Sequence, residues 1–149
     1  HKHNVPTTIF VSPKIAVNQG NFWFQEIKGY NNGIMIKLIS RELSIPLNSI
    51  QDVSFKIILR CLPLNRINEI ILKYQLETNT PPKKGMNMTL NEILEVEKSG
   101  LVTIGAHTMN HPILKNESDE NCYNEITNSI IDLQAILGHK VVYFAYRCT

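Results

Sequence analysis

Apolar residues recur along this chain in two rhythms, short β-branched runs and longer stretches apolar at every third or fourth position, and the two alternate. Such alternation predicts an α/β fold. Val5 to Val11 reads as a strand, because Thr, Ile, Phe and Val suit a pleated, half-buried surface and Pro6 is tolerated near a strand start. Ser12-Pro13 ends it. Between Phe22 and Leu43 the apolar residues Trp23, Ile27, Ile34, Leu38 and Leu43 keep a roughly helical spacing that Gly29 and Gly33 interrupt, which predicts two helical pieces. Leu47 to Leu76 predicts two more, broken near Leu62-Pro63, the second carrying Ile67, Ile70, Ile71 and Tyr74 on one face. Residues 44–80 are accordingly read as a helical pair inserted into the α/β order.

The clearest helix start is Thr89-Leu90-Asn91-Glu92, where the Thr hydroxyl caps the first turn and Glu92 reaches back to the Thr89 amide. Gly100 suits the left-handed position that ends this helix, and Leu101 to Ala106 follows as a short buried strand. Ser118 opens a further helix in which Cys122, Ile126, Ile130, Leu133 and Leu137 form one apolar stripe, stopped at Gly138. Val141 to Tyr146 is the next expected strand.

Composition narrows the partners. At 149 residues, 43% hydrophobic and 19% charged, the chain has the make-up of one average globular domain. A net charge of +2 with scattered Lys and Arg speaks against nucleic acid or an anionic membrane and for a neutral substrate. No apolar run approaches the roughly 20 residues of a membrane span. Cys61, Cys122 and Cys148 are odd in number and lack C-x-x-C spacing, so neither a disulfide framework nor a zinc knuckle is expected. The first residue is His1 rather than Met, so the natural N-terminus is expected elsewhere.

Candidate chemistry gathers in Ile104-Gly105-Ala106-His107-Thr108-Met109-Asn110-His111-Pro112, with two imidazoles four residues apart just after an expected strand. In α/β architectures active sites collect at the C-terminal ends of strands. Gly105 and Pro112 argue against a continuous helix here, and no Glu follows His107, which sets the segment apart from the helical H-E-x-x-H zinc motif. On spacing alone, two polar surface histidines remain the simpler reading.

Context changes that weighting. His3-Asn4-Val5-Pro6-Thr7-Thr8-Ile9-Phe10-Val11, Phe22-Trp23-Phe24, Met88-Thr89-Leu90-Asn91-Glu92, His107-Thr108-Met109-Asn110-His111-Pro112 and Val142-Tyr143-Phe144-Ala145-Tyr146 stand in this order. Together they resemble successive landmarks of the polysaccharide deacetylase family, the NodB-homology domain of carbohydrate esterase family 4, and the histidine segment is similar to its H-[ST]-x-x-H-P motif. The resemblance implies a single partial domain over residues 1–149, part of a distorted (β/α) barrel. It also implies a hydrolase acting on carbon–nitrogen bonds other than peptide bonds, which removes N-acetyl or O-acetyl groups from a polysaccharide or oligosaccharide in carbohydrate metabolism. By the same resemblance His107 and His111 are two of three protein ligands to a divalent metal, zinc by preference, and Thr108 and Asn110 brace their loop.

Departures from the pattern are equally specific. The family's T-F-D-D run, with its base and metal-ligand aspartates, is expected before residue 1, and its general-acid His after Thr149, so no catalytic residue is assigned in this chain. Arg147 stands where the third motif has Pro. Asp52, Asp119 and Asp132 are no substitutes, since none follows a strand. A barrel of this kind needs roughly 200 residues or more, so either a true fragment or an incomplete sequence is expected, and a true fragment's open sheet edges would favour a homo-oligomer. The alternative is a catalytically inactive fragment or relict of that fold with a carbohydrate-binding or structural role. Trp23 is read as core or pocket wall or, alternatively, as a sugar-stacking contact, and Tyr146 as bordering the site. His1 and His3 are read as tag remnant or terminal surface, and His139 as a cation at the carbonyl end of a helix.

Overall fold

The computed structural model describes residues 5–146, so His1, His3, Arg147 and Cys148 lie outside the described residues. In chain order the elements are β1 (Thr7–Val11), α1 (Pro13–Val17), α2 (Trp23–Glu26), α3 (Asn32–Glu42), α4 (Leu47–Ile50), α5 (Phe55–Leu59), α6 (Leu64–Thr78), α7 (Leu90–Lys98), β2 (Val102–Ala106) and α8 (Asp119–Leu137), with a 3₁₀ turn at Leu114–Asn116 before α8. They form two compact units, one of residues 5–22 and 84–146, the other Trp23–Lys83.

The first unit is a mixed α/β body around a small parallel sheet. β1 and β2 pair in parallel from Thr7 opposite Val102 to Val11 opposite Ala106. Their alternate side chains Ile9, Val11, Val102, Ile104 and Ala106 share one face and pack with Ile93 of α7 and Leu133 of α8, the apolar layer that a strand of period two presents to its helices. On the other face Phe10 lies opposite Gly105. A Cβ at Gly105 would stand 2.7 Å from the Phe10 ring and 3.1 Å from the Tyr143 carbonyl oxygen, so this strand position is glycine because its neighbours already fill the space.

The helix ends follow local chemistry. Thr89 and Glu92 close a reciprocal capping box at α7, with Glu92 N–H donating to Thr89 Oγ1 (3.3 Å) and Thr89 N–H to Glu92 Oε2 (2.7 Å). Ser118 Oγ accepts from Asn121 N–H (3.2 Å) to start α8, and Gly138 ends it with φ +76°, a backbone region a side chain would strain.

Three expectations change. The segment 141–146 is not a full strand: it meets β2 in a single bridge, Ala106 to Phe144, because β2 ends at Ala106 and the chain turns away into the histidine loop. Ser12-Pro13 does more than end β1, since Pro13, with φ preset for a first helical position, opens α1. Along α8 the deepest line is Glu125, Ser129 and Leu133, with Cys122, Ile126, Ile130 and Leu137 of the expected stripe only half-buried.

The second unit is helical, and its core includes Ile27, Met35, Leu38, Ile39, Leu59, Ile67 and Ile70. The expected helical pieces between 22 and 43 are α2 and α3, with Gly29 in the break and Gly33 inside the first turn of α3. The stretch after Leu47 holds three helices rather than two, the break at Leu62-Pro63 falling between α5 and α6. Ile67, Ile70, Ile71 and Tyr74 are buried on one face of α6. The Tyr74 ring stacks on Tyr30 (4.1 Å, 11°), and its hydroxyl accepts from Asn31 N–H (2.9 Å).

Candidate functional site

The site lies where β1 and β2 end side by side. Beyond the last pair, Val11 and Ala106, the His107 N–H donates to the Val11 carbonyl (2.9 Å), one more bond in the same direction, and Ser12 Oγ donates to the His107 carbonyl (2.7 Å). His107 therefore leaves β2 in a direction set by two strands.

Its ring is also oriented. His107 Nδ1 lies 2.7 Å from the carbonyl oxygen of Ala145. A carbonyl only accepts, so the proton of the neutral ring sits on Nδ1 and the Nε2 lone pair is left for another partner. Ala145 is itself held, since its N–H donates to Ala106 O while Ala106 N–H donates to Tyr143 O, each 2.9 Å. The single bridge of the third segment thus delivers the acceptor that orients the first histidine.

The loop then reverses through two left-handed residues, Thr108 (φ +63°) and His111 (φ +59°). Both are costly for residues with a Cβ, and Thr more so for its branch. The buried Thr108 hydroxyl offsets part of that cost: it donates to the His107 carbonyl and accepts from His111 N–H (3.0 Å). The reversal brings the two imidazoles together, centroids 4.6 Å apart at 74°, and on its other flank His111 meets the Phe22 ring at 4.6 Å and 48°. Thr108 thus bonds within the loop, whereas Asn110 reaches out of it: its main-chain N–H and its Nδ2 both donate to the carboxylate of Glu125 on α8, at 2.9 and 2.6 Å.

Glu125 and Ser12 are the contributors missed at the level of sequence. Glu125 had one detectable signal, a carboxylate sharing a helix face with Cys122 and Ser129, where an acidic side chain needs partners to be buried. Behind the loop a cavity of about 150 Å³ is lined by Ile9, Val11, Ser12, Phe22, Met88 and Ile93 among others.

Trp23 is the first residue of α2, 4% exposed and edge-on to Phe24. Tyr146 follows Ala145, 67% exposed, with its ring edge-on to Phe144. His139, at the end of α8, lies 2.6 Å from Glu97, and its bond to the Lys140 carbonyl, then Glu97, raises its pKa above the usual histidine range.

His107 and His111 are the residues of this loop that could hold a metal, and the bond to Ala145 leaves the Nε2 lone pair of His107 available. Among the described residues no group of three or more His, Cys, Asp or Glu forms a cluster able to hold a metal. No helix of the described residues is long and apolar enough to cross a membrane.

Compared with known proteins, residues 65–148, which include the whole histidine loop, β2, α7 and α8, match the family model described as polysaccharide deacetylase. No curated protein and no solved structure matches.

Proposed function

The chain belongs to the polysaccharide deacetylase family, and from that membership we propose that it acts as a metal-dependent hydrolase removing N-acetyl or O-acetyl groups from an acetylated polysaccharide or oligosaccharide. The family is generally metal-dependent. The observation that carries the reading is the pairing of His107 and His111, rings 4.6 Å apart, in a loop at the C-terminal end of β2 inside the matched segment. We assign both as ligands of a divalent ion, zinc by preference. When bound, such an ion supplies Lewis acidity toward a carbonyl oxygen and toward water.

The chain's own residues do the positioning. The Ala145 carbonyl keeps the His107 proton on Nδ1, Thr108 holds the reversal that brings His111 alongside, and Asn110 ties the loop to α8. Tyr146, exposed and next to Ala145, offers an aromatic face suited to a sugar ring. The parallel pairing of β1 and β2, with α7 and α8 packed on β2, supports reading the first unit as part of a distorted (β/α) barrel. Residues 44–80, with α4, α5 and α6, are then the helical insertion it carries.

Zinc titration by calorimetry, with acetate release measured on N-acetylated and O-acetylated glycans, tests the proposal. Zinc binding near one equivalent that His107→Ala weakens at least tenfold, together with acetate release, is the expected result. Zinc affinity unchanged in His107→Ala would remove the metal assignment. Binding of zinc and glycan without acetate release would favour the inactive carbohydrate-binding alternative.

A further inference from the structure

Three hydrogen bonds tie a single residue of α8 to the two residues beside His111, and from them we infer that Glu125 is the positioning residue of the histidine pair. The purpose assigned to it rests on the metal chemistry proposed above; the clasp itself rests on geometry. Glu125 Oε2 accepts from Asn110 N–H (2.9 Å), Oε1 accepts from Asn110 Nδ2 (2.6 Å), and the Glu125 main-chain carbonyl accepts from Met109 N–H (3.1 Å). The side chain is buried, with the residue 8% exposed. A carboxylate taken out of water is costly unless its lone pairs are met, and bonds to an ionised acceptor are among the stronger ones. Here both oxygens are met by the loop.

The loop needs such a tie. Thr108 and His111 both sit in left-handed backbone, and the two residues between them, Met109 and Asn110, are the two that Glu125 holds. Unheld, the segment would relax toward ordinary φ values and carry the His111 ring away from His107. Glu125 therefore acts through Asn110 and touches no ligand. The rigid element beneath the site is α8, whose Leu133 is locked in the core.

Glu125→Gln is nearly isosteric, but offers one acceptor and one donor where the loop presents two donors. Asn110→Asp combined with Glu125→Gln restores complementarity: the Gln amide donates to the new carboxylate, and its oxygen accepts from the main-chain N–H of residue 110. Amide hydrogen exchange on the metal-free protein and zinc calorimetry are the two readouts. In Glu125→Gln we expect exchange at Asn110 and His111 at least tenfold faster with the α8 amides unchanged, and zinc affinity lower by about 10–100-fold, as for other groups that orient metal ligands. The double substitution should recover the slow exchange. Asn110→Ala, which cuts only the side-chain half of the clasp, should give a smaller acceleration at His111. Unchanged exchange in Glu125→Gln, or no recovery in the double variant, overturns the inference. Absence of zinc binding in the unsubstituted protein would instead strike the proposed function, while exchange still decides the clasp.

Discussion

Gly105 and Thr108 lie three residues apart, and each is tied to its position by a different kind of constraint. At Gly105 the constraint is space. Gly105→Ala puts a methyl group 2.7 Å from the Phe10 ring, which is half-exposed and able to swing, and 3.1 Å from the Tyr143 main chain, which is not. The expected loss is therefore at the low end for overpacking, about 1 kcal/mol, read as a lower urea midpoint, with partial recovery when Phe10→Ala is added. No recovery would place the strain in the main chain alone. Thr108 is held by its hydroxyl bonds in a backbone region its branched side chain disfavours. The identity of both residues was plain in the sequence, but their reasons were not, because the Phe10 ring and the reversal of the loop arrive from outside any local window.

At the scale of elements, local rules carried furthest at helix ends. The capping box of α7 and the glycine stop of α8 stand where the sequence placed them, because a cap involves groups within about four residues of one another. Thr89→Ala should cost about 1 kcal/mol, the usual worth of an N-cap. Main-chain N–H of Thr89, then its hydroxyl, holds the Glu92 carboxyl below its usual range. A group whose folded pKa is depressed adds stability that is present above its unfolded pKa, about 4.3 for Glu, and disappears as pH falls through the folded value. The gap in urea midpoint between the wild type and Glu92→Ala should thus be open at pH 7 and narrow as the pH falls below the usual carboxylate range. A gap that persists in acid would mean that contacts of the neutral side chain, not its charge, account for it, since Ala is the better helix former. Strand pairing was harder to read: residues 141–146 have strand-like composition, yet only Phe144 bridges to β2, since β2 itself stops at Ala106.

For the molecule as a whole, the sheet unit has one core, with Leu133 of α8, Ile93 of α7 and Ile104 of β2 together at its centre. Leu133→Ala should cost about 2–5 kcal/mol, a large share of the roughly 5–15 kcal/mol that holds a domain folded. Amide exchange should show the loss across the sheet unit, including the amides of β1, whereas local fraying of α8 would expose only amides near residue 133. The sequence by itself determined the mixed α/β order, β1 and β2, the caps of α7 and α8, the buried face of α6 and the two histidines. Each of these depends on periodicity, on end chemistry or on residue type within a few positions. Tertiary structure alone decided that β1 and β2 run side by side, that Ala145 fixes the His107 tautomer and that Glu125 clasps Asn110. The physical reason is common to all three: a hydrogen bond across 15 to 38 or more residues depends on where whole elements pack, and no periodicity in the chain records that distance.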